Sequence, residues 1–362
     1  MRLVPIQCVK ENDKLAKDIY DDNGRLLLKS GIILKSAAIK KIKSINIFSI
    51  YVIDEYSKNI IEEVIAPEIR LKAIKAIKDK FGRLSNGDNI ETEMAYKNSE
   101  DEYQSILYIA NQIIDEILSK KDVMLNIVDI KSLSNYLYKH SINVAIISLM
   151  IGIKLDLHKF DLLDLSVGAI LHDLGMVFVP KRVLEKNEEL TEEEYKIVMN
   201  HTKIGYNYLS ESCEISISSI LVALQHHERV GGQGYPEAKD GGNISKFAKI
   251  VAIADTYDAL TSDRPYRVAK SPNEALEYIM GNGGILFDYK LVQLFSKIVV
   301  PYPKGTIVKL TNDEIAIVEE TSLNTPLRPQ LTVLYSKNKS RINTVVNLEK
   351  EIDIVIKGLH YE

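Results

Sequence analysis

The 362-residue sequence predicts a mainly α-helical protein with a small strand-bearing module at each end. Three observations predict it. Apolar residues keep helical spacing from about 67 to 300, whereas the first 55 residues alternate short apolar runs with turn signals, and the apolar pattern returns to period two after Pro301 and Pro303. With 46% hydrophobic and 27% charged side chains, the chain is globular and long enough to bury one large core or several smaller ones.

Taken in order, strands are expected at Leu3–Ile6, Leu26–Leu28, Ile32–Leu34 and Ile47–Ile53, with a helix over 36–44. Pro67 suits a first helical turn, and Ile69, Ala73, Ile77 and Phe81 carry that helix to Gly82. Arg83–Asn89 is expected to be a loop. Ser99 and Glu102 have the spacing of a capping box ahead of a helix running through Leu118. In the last segment, strands are expected at Thr306–Leu310, Ile315–Val318, Leu331–Tyr335 and Ile352–Ile356. The resulting division is a strand-rich module at 1–60, a helical connector at 61–125, a helical domain at 126–300 and a β module at 301–362.

The formal charge of −4 and the lack of any Lys/Arg block argue against a protein that grips nucleic acid or anionic membrane by charge alone. Residues 61–300 hold 27 basic and 35 acidic side chains, together with six of the seven histidines. Cys8 and Cys213 are too few and too far apart for a disulfide framework or a thiolate zinc site. The start lacks a signal-peptide apolar region, and the run Val144–Ile153 is about half of the roughly 20 residues a membrane span needs. A reduced, cytoplasmic protein is expected.

Chemistry concentrates in five short segments. His140 opens an apolar helix; His172-Asp173 follows Leu165–Leu171; His201 lies in Met199–Gly205; His226-His227 closes Ile220–Gln225; Asp255 ends Ile250–Ala254. A buried, unpartnered carboxylate costs several kcal/mol, so acids at the ends of apolar helices call for cations or metal. Mixed imidazole and carboxylate donors suit Fe, Mn, Zn or Ni better than Ca or Mg, and an aspartate such as Asp173 can bridge two ions. His158 and His360 stand in polar or terminal surroundings and are set aside.

With His172-Asp173 in place, the sequence resembles the HD superfamily of metal phosphohydrolases. More narrowly, His226-His227-Glu228-Arg229-Val230-Gly231-Gly232-Gln233-Gly234-Tyr235-Pro236 and the segment Ala254 to Arg267 resemble the HD-GYP family of cyclic di-GMP phosphodiesterases. The resemblance covers roughly 130–295. It implies an HD-type helical bundle, with metal ligands at His140, His172, Asp173, His201, His226, His227 and Asp255, of which His172 and Asp173 are also the catalytic pair. It further implies substrate contacts from Arg264, Arg267, Asp258 and the loop Gly234-Tyr235-Pro236. The implied reaction is attack by a metal-bound hydroxide on cyclic di-GMP, giving pGpG first, with pGpG or GMP both open as the final product.

Three positions depart from the family pattern. Met176 follows His172-Asp173-Leu174-Gly175 where many members have Lys; Tyr136 stands four residues before His140, where three-metal members have Glu; and Gly231 replaces an Asp, which is expected to loosen the loop. Two divalent ions, Fe or Mn, are therefore expected, with no third. The expected partners are cyclic di-GMP and a second copy through the connector, with neither nucleic-acid polymer nor membrane. Two alternatives remain open: a cyclic-dinucleotide-binding signalling module with little turnover, and an HD phosphohydrolase for another cyclic dinucleotide.

Overall fold

A computed structural model describes Met1 to Tyr361 apart from residues 21–24, 46, 48, 55–63, 86–92, 121–135, 185, 187, 213 and 263–268. Strands β1 (Arg2–Pro5), β2 (Lys14–Leu15), β3 (Ile19–Tyr20), β4 (Leu26–Leu28) and β5 (Ser49–Ile53) with helix α1 (Ser36–Ser44) form the first unit. β1, β5 and β2 make an antiparallel sheet in that order, and β3 pairs with β4. Val4, Leu15, Ile50 and Val52 close with Ile42 of α1 over a small core. Ile32–Leu34 is not a strand, because Ile33 pairs with Lys14 through a single bridge after Gly31 turns the chain at φ +89°.

The connector helices are α2 (Pro67–Ser85) and α3 (Glu93–Ser119). Both run further than their sequence signals suggest. Arg83–Ser85 continue α2, and Ser99 lies inside α3, because the good helix formers Glu93, Met94 and Ala95 start that helix a turn and a half earlier.

The bundle proper comprises α4 (Tyr136–Lys154), α5 (Lys159–Leu171), α6 (Lys181–Leu184), α7 (Glu192–Met199), α8 (His201–Ser212), α9 (Ile217–Gln225), α10 (Lys246–Thr261), α11 (Pro272–Gly281) and α12 (Tyr289–Ser296). From Ile142 to Ile151, α4 is apolar on almost every side and is covered on all of them, as such a helix must be. It packs against α5 and α10; α5 packs on α9, and α9 on α8. Side chains such as Ile146, Leu149, Leu165, Ile170 and Ile250 are fully buried, each worth about 1.5–3 kcal/mol relative to exposure. Start signals are explicit elsewhere: Thr191 with Glu194 and Ser271 with Glu274 form capping boxes, Pro272 takes a first-turn position, and Asp288 caps α12. Among the described residues no helix is long and apolar enough to cross a membrane.

The last unit is a five-stranded antiparallel sheet of β6 (Ile307–Leu310), β7 (Ile315–Glu320), β8 (Gln330–Tyr335), β9 (Val345–Asn347) and β10 (Ile356–Leu359), in the order β10-β6-β7-β8-β9. The final strand starts at Ile356, where the expected one ended, and β9 is additional. Ile352 lies exposed ahead of the strand. The end of the chain returns to the first unit, where Arg2 Nη1 donates to the His360 carbonyl at 3.4 Å and Tyr361 packs on the small core.

One close approach positions the site. After α5 the chain makes a 3-10 turn, Leu174–Phe178, that presses against the start of α8. A Cβ on Gly175 would lie 1.9 Å from the His201 carbonyl oxygen and 2.8 Å from Gly205 N, so only glycine fits. Gly175→Ala is expected to destabilise the protein by about 3 kcal/mol or more, and Gly205→Ala by less, in chemical denaturation. A Gly175→Ala protein within about 1 kcal/mol of the parent would contradict this contact.

Candidate metal centre

Five segments bring seven donor side chains together. His172 and His226 each occupy the C-cap of an apolar helix, α5 and α9, and Asp173 and His227 follow them directly. His201 is the first residue of α8, just beyond the end of α7. His140 sits in the second turn of α4 instead of opening it, and Asp255 lies inside α10 instead of at its end.

Three of the histidines use one local device. The last turn of a helix leaves carbonyls without intrahelical partners. His172 Nδ1 meets the Ala169 oxygen at 2.7 Å, His201 Nδ1 meets Val198 at 2.7 Å, and His226 Nδ1 meets Val222 and Ala223 at 3.0 and 3.1 Å. A carbonyl only accepts, so each Nδ1 carries the proton and each Nε2 presents a lone pair inward. His140 lies mid-helix and instead donates from Nδ1 to Asp258 Oδ2 at 2.7 Å, while Asn143 Nδ2 donates to Asp258 Oδ1 at 2.9 Å.

The inward atoms form two groups, Asp173 with His201, His226 and His227, and His140 with His172 and Asp255, whose donor atoms lie within 4.8 Å of one another in each group. Asp173 stands between them. Its Oδ1 is 3.3 Å from His201 Nε2 and 3.6 Å from His226 Nε2, and its Oδ2 is 3.5 Å from His172 Nε2 and 3.9 Å from His140 Nε2. Asp255 reaches His140 Nε2 at 3.1 Å and His227 Nδ1 at 3.9 Å. The rings of His140, His172, His201 and His226 are buried, whereas the side chains of Asp173 and His227 keep 15% and 20% exposure, so the centre opens on their side.

These residues fit a divalent ion. His172 Nε2 is buried without a hydrogen-bond partner, and the Nε2 atoms of His201 and His226 face each other at 3.3 Å. Converging lone pairs beside carboxylates are what a cation requires. Burial lowers His172 to a pKa of about 4 despite the Asp173 charge, and burial with the neighbouring His226 lowers His227 well below its usual range. Burial would raise Asp173 and Asp255, but the surrounding imidazoles hold both well below the ordinary carboxylate range. Burial also opposes a proton on His201, yet its hydrogen bond to Asp173 wins and raises that imidazole. The cluster is thus a divalent-metal-binding arrangement.

The Gly234-Tyr235-Pro236 loop folds against it. Tyr235 stacks on His227 with ring centroids 4.6 Å apart, and burial raises its hydroxyl pKa. Glu228, buried behind the double histidine, accepts from the backbone of Glu237 at 2.7 Å and Lys239 at 2.9 Å and ties the loop down. Gly231 does not loosen it. Its N–H donates to the Ile285 oxygen at 3.0 Å, and a Cβ there would stand 2.8 Å from that same oxygen. Met176 lies half-buried in the 3-10 turn. Asp258 is fully buried with both oxygens engaged behind His140, so it backs a donor and does not face a substrate. Arg264 and Arg267 lie outside the described residues.

Sequence reasoning missed Asn143 and Glu228 as supports, although each follows a histidine motif within three residues. It also missed a cavity of about 380 Å³ beside Tyr235 and Pro236, lined by Lys196, Ile197, Met199, Asn200 and Lys203. Lys196 and Lys203 are exposed and form no ion pair among the described residues.

Residues 122–291 match the HD domain family model. A cyclic di-GMP phosphodiesterase of Pseudomonas aeruginosa is 32% identical over 231 residues, 63% of this chain and 56% of that protein. One from Borreliella burgdorferi is 29% identical over 206 residues, 57% and 54% of the two chains. A 3′3′-cGAMP-specific phosphodiesterase of Vibrio cholerae is 34% identical over 163 residues, 45% and 37%. The chain spans about half the length of the first two relatives. Residues 122–291 thus match an HD domain, and the chain is similar to cyclic dinucleotide phosphodiesterases over 45–63% of its length.

Proposed function

We propose that the protein is a metal-dependent phosphodiesterase that hydrolyses cyclic di-GMP to pGpG and then GMP. The observation that carries this reading is Asp173, whose two carboxylate oxygens face two separate donor groups at the open side of the centre. Two ions, Fe or Mn, would be held by His201, His226 and His227 on one side and His140, His172 and Asp255 on the other, with Asp173 bridging. Bound there, they would supply Lewis acidity to the phosphoryl oxygens and make water a competent nucleophile near neutral pH.

The chain's own residues do the rest. The carbonyl-anchored imidazoles hold their Nε2 atoms in place before substrate arrives. Tyr235, fixed on His227, offers a ring face to a guanine base. Lys196 and Lys203 provide the cationic surface that Met176 withholds at the family's lysine position, and Arg264 and Arg267 hold the second phosphate. Residues 61–125 serve as connector and as the contact between two copies.

With Mn(II)- or Fe(II)-loaded protein, cyclic di-GMP should disappear, pGpG and then GMP should accumulate, and 3′3′-cGAMP should be cut more slowly. Tight binding without product would convert the chain into a sensor; neither binding nor product would sink both readings. His172→Ala with Asp173→Ala should lose metal and turnover together.

Replacing Lys196 and Lys203 by Ala is expected to raise KM about tenfold while metal content stays at the parental level, since one lost phosphate contact is worth about 1.4 kcal/mol. An unchanged KM would remove the cavity from the substrate's path.

Metal binding requires His201 to release its proton, and Asp173 raises that pKa above the ordinary 6.5. Metal affinity should therefore be full above the His201 pKa and fall about tenfold per pH unit below it. His172, at about 4, and the two depressed carboxylates add no competing proton between pH 6 and 8. Mn(II) titrations at pH 6, 7 and 8 test this, and a flat affinity would refute it.

A further inference from the structure

His140 turns its Nδ1 to Asp258 and not to a helix-end carbonyl of the kind that anchors His172, His201 and His226. Arg70, half-buried on α2, donates from Nη1 to Asn143 Oδ1 at 2.6 Å. Asn143 Nδ2 donates to Asp258 Oδ1 at 2.9 Å, and Asp258 Oδ2 takes the His140 Nδ1 proton at 2.7 Å. Asn143 and Asp258 are 4% and 0% exposed, so neither has water to fall back on. We propose that Arg70 is a positioning residue for His140, fixing through Asn143 and Asp258 which ring nitrogen faces the centre. The proposal rests on the metal-binding reading of the site.

The polarity of the relay explains why an arginine stands at its end. An asparagine amide is nearly symmetric in shape and can flip, and the flipped form would set its carbonyl oxygen against the Asp258 carboxylate. A guanidinium can only donate, so it holds the Asn143 oxygen outward and its NH2 group inward. The Asp258 carboxylate can only accept, so His140 must carry its proton on Nδ1 and present the Nε2 lone pair to the centre, beside Asp255 at 3.1 Å. Arg70 lies well ahead of residues 122–291, the span of the HD match. Helix α2 also packs on α4 and on the 3-10 turn after His172-Asp173, with Phe81 edge-on to Tyr138 at 5.9 Å, two residues before His140. The connector helix is therefore part of the centre's outer support.

The test is metal binding by the full-length protein, read as the Mn(II) dissociation constant and the visible spectrum of the Co(II) form. Arg70→Met should weaken Mn(II) binding about tenfold and shift the Co(II) spectrum, while Arg70→Lys, still donor-only, should stay within about threefold of the parent. If Arg70→Met does not fold, Arg70→Leu, which likewise offers Asn143 no donor, takes its place with the same expectation. Parental affinity and spectrum in the Met or Leu variant would overturn the proposal, as would a Lys variant impaired as strongly as the Met variant. A parent chain that binds no metal would overturn it together with the metal centre itself.

Discussion

Seven imidazole and carboxylate groups converge on one small volume, and the rest of the structure answers to the demand of holding them there. Left to itself, each would turn toward water. Here His140, His172, His201 and His226 are sealed among apolar helices, and only the side of Asp173 and His227 stays open. The apolar surround amplifies every interaction among the donors, which is why Asp173 and Asp255 stay ionised and His172 stays neutral.

The support comes from helix ends. Where a helix stops at a histidine, the carbonyls of its last turn are free to accept from Nδ1, so the break that ends α5 or α9 also aims the donor. The 3-10 turn after Asp173 can lie against α8 only because Gly175 has no side chain, and that contact brings Asp173 to His201. Glu228 does the same for the Tyr235 loop by accepting two backbone donors. His140, inside α4, borrows its orientation from Asp258, Asn143 and the connector helix.

Much of this was legible in the sequence. The donors follow or interrupt apolar runs, an unusual placement for buried ionisable groups, and Asp173, His201, His226 and Asp255 do gather. The helix over 36–44 matches α1, since its pattern is local. Failures came where a local signal met a longer-range preference. Ser99 and Glu102 have capping spacing, but strong helix formers upstream carried α3 through them. Asp255 ends an apolar run without ending its helix, because Tyr257 and Leu260 continue the buried face of α10. Asp258 looked like a substrate contact because nothing in its own segment marks the fully buried side of the helix.

The sequence by itself determined which side chains could bind metal, because His and Asp at the ends of apolar runs carry their chemistry wherever they are placed. It also determined the helical bundle and its two flanking strand-bearing units, since period 3.6 and period two are read residue by residue. Only the tertiary structure decided the pairing: which oxygen of Asp173 faces which histidines, that Gly231 is held and not loose, and that Arg70 reaches His140 across 70 residues. Those outcomes depend on distances between segments far apart in the chain, and such distances are set by how helices pack and not by the order of residues within any one of them.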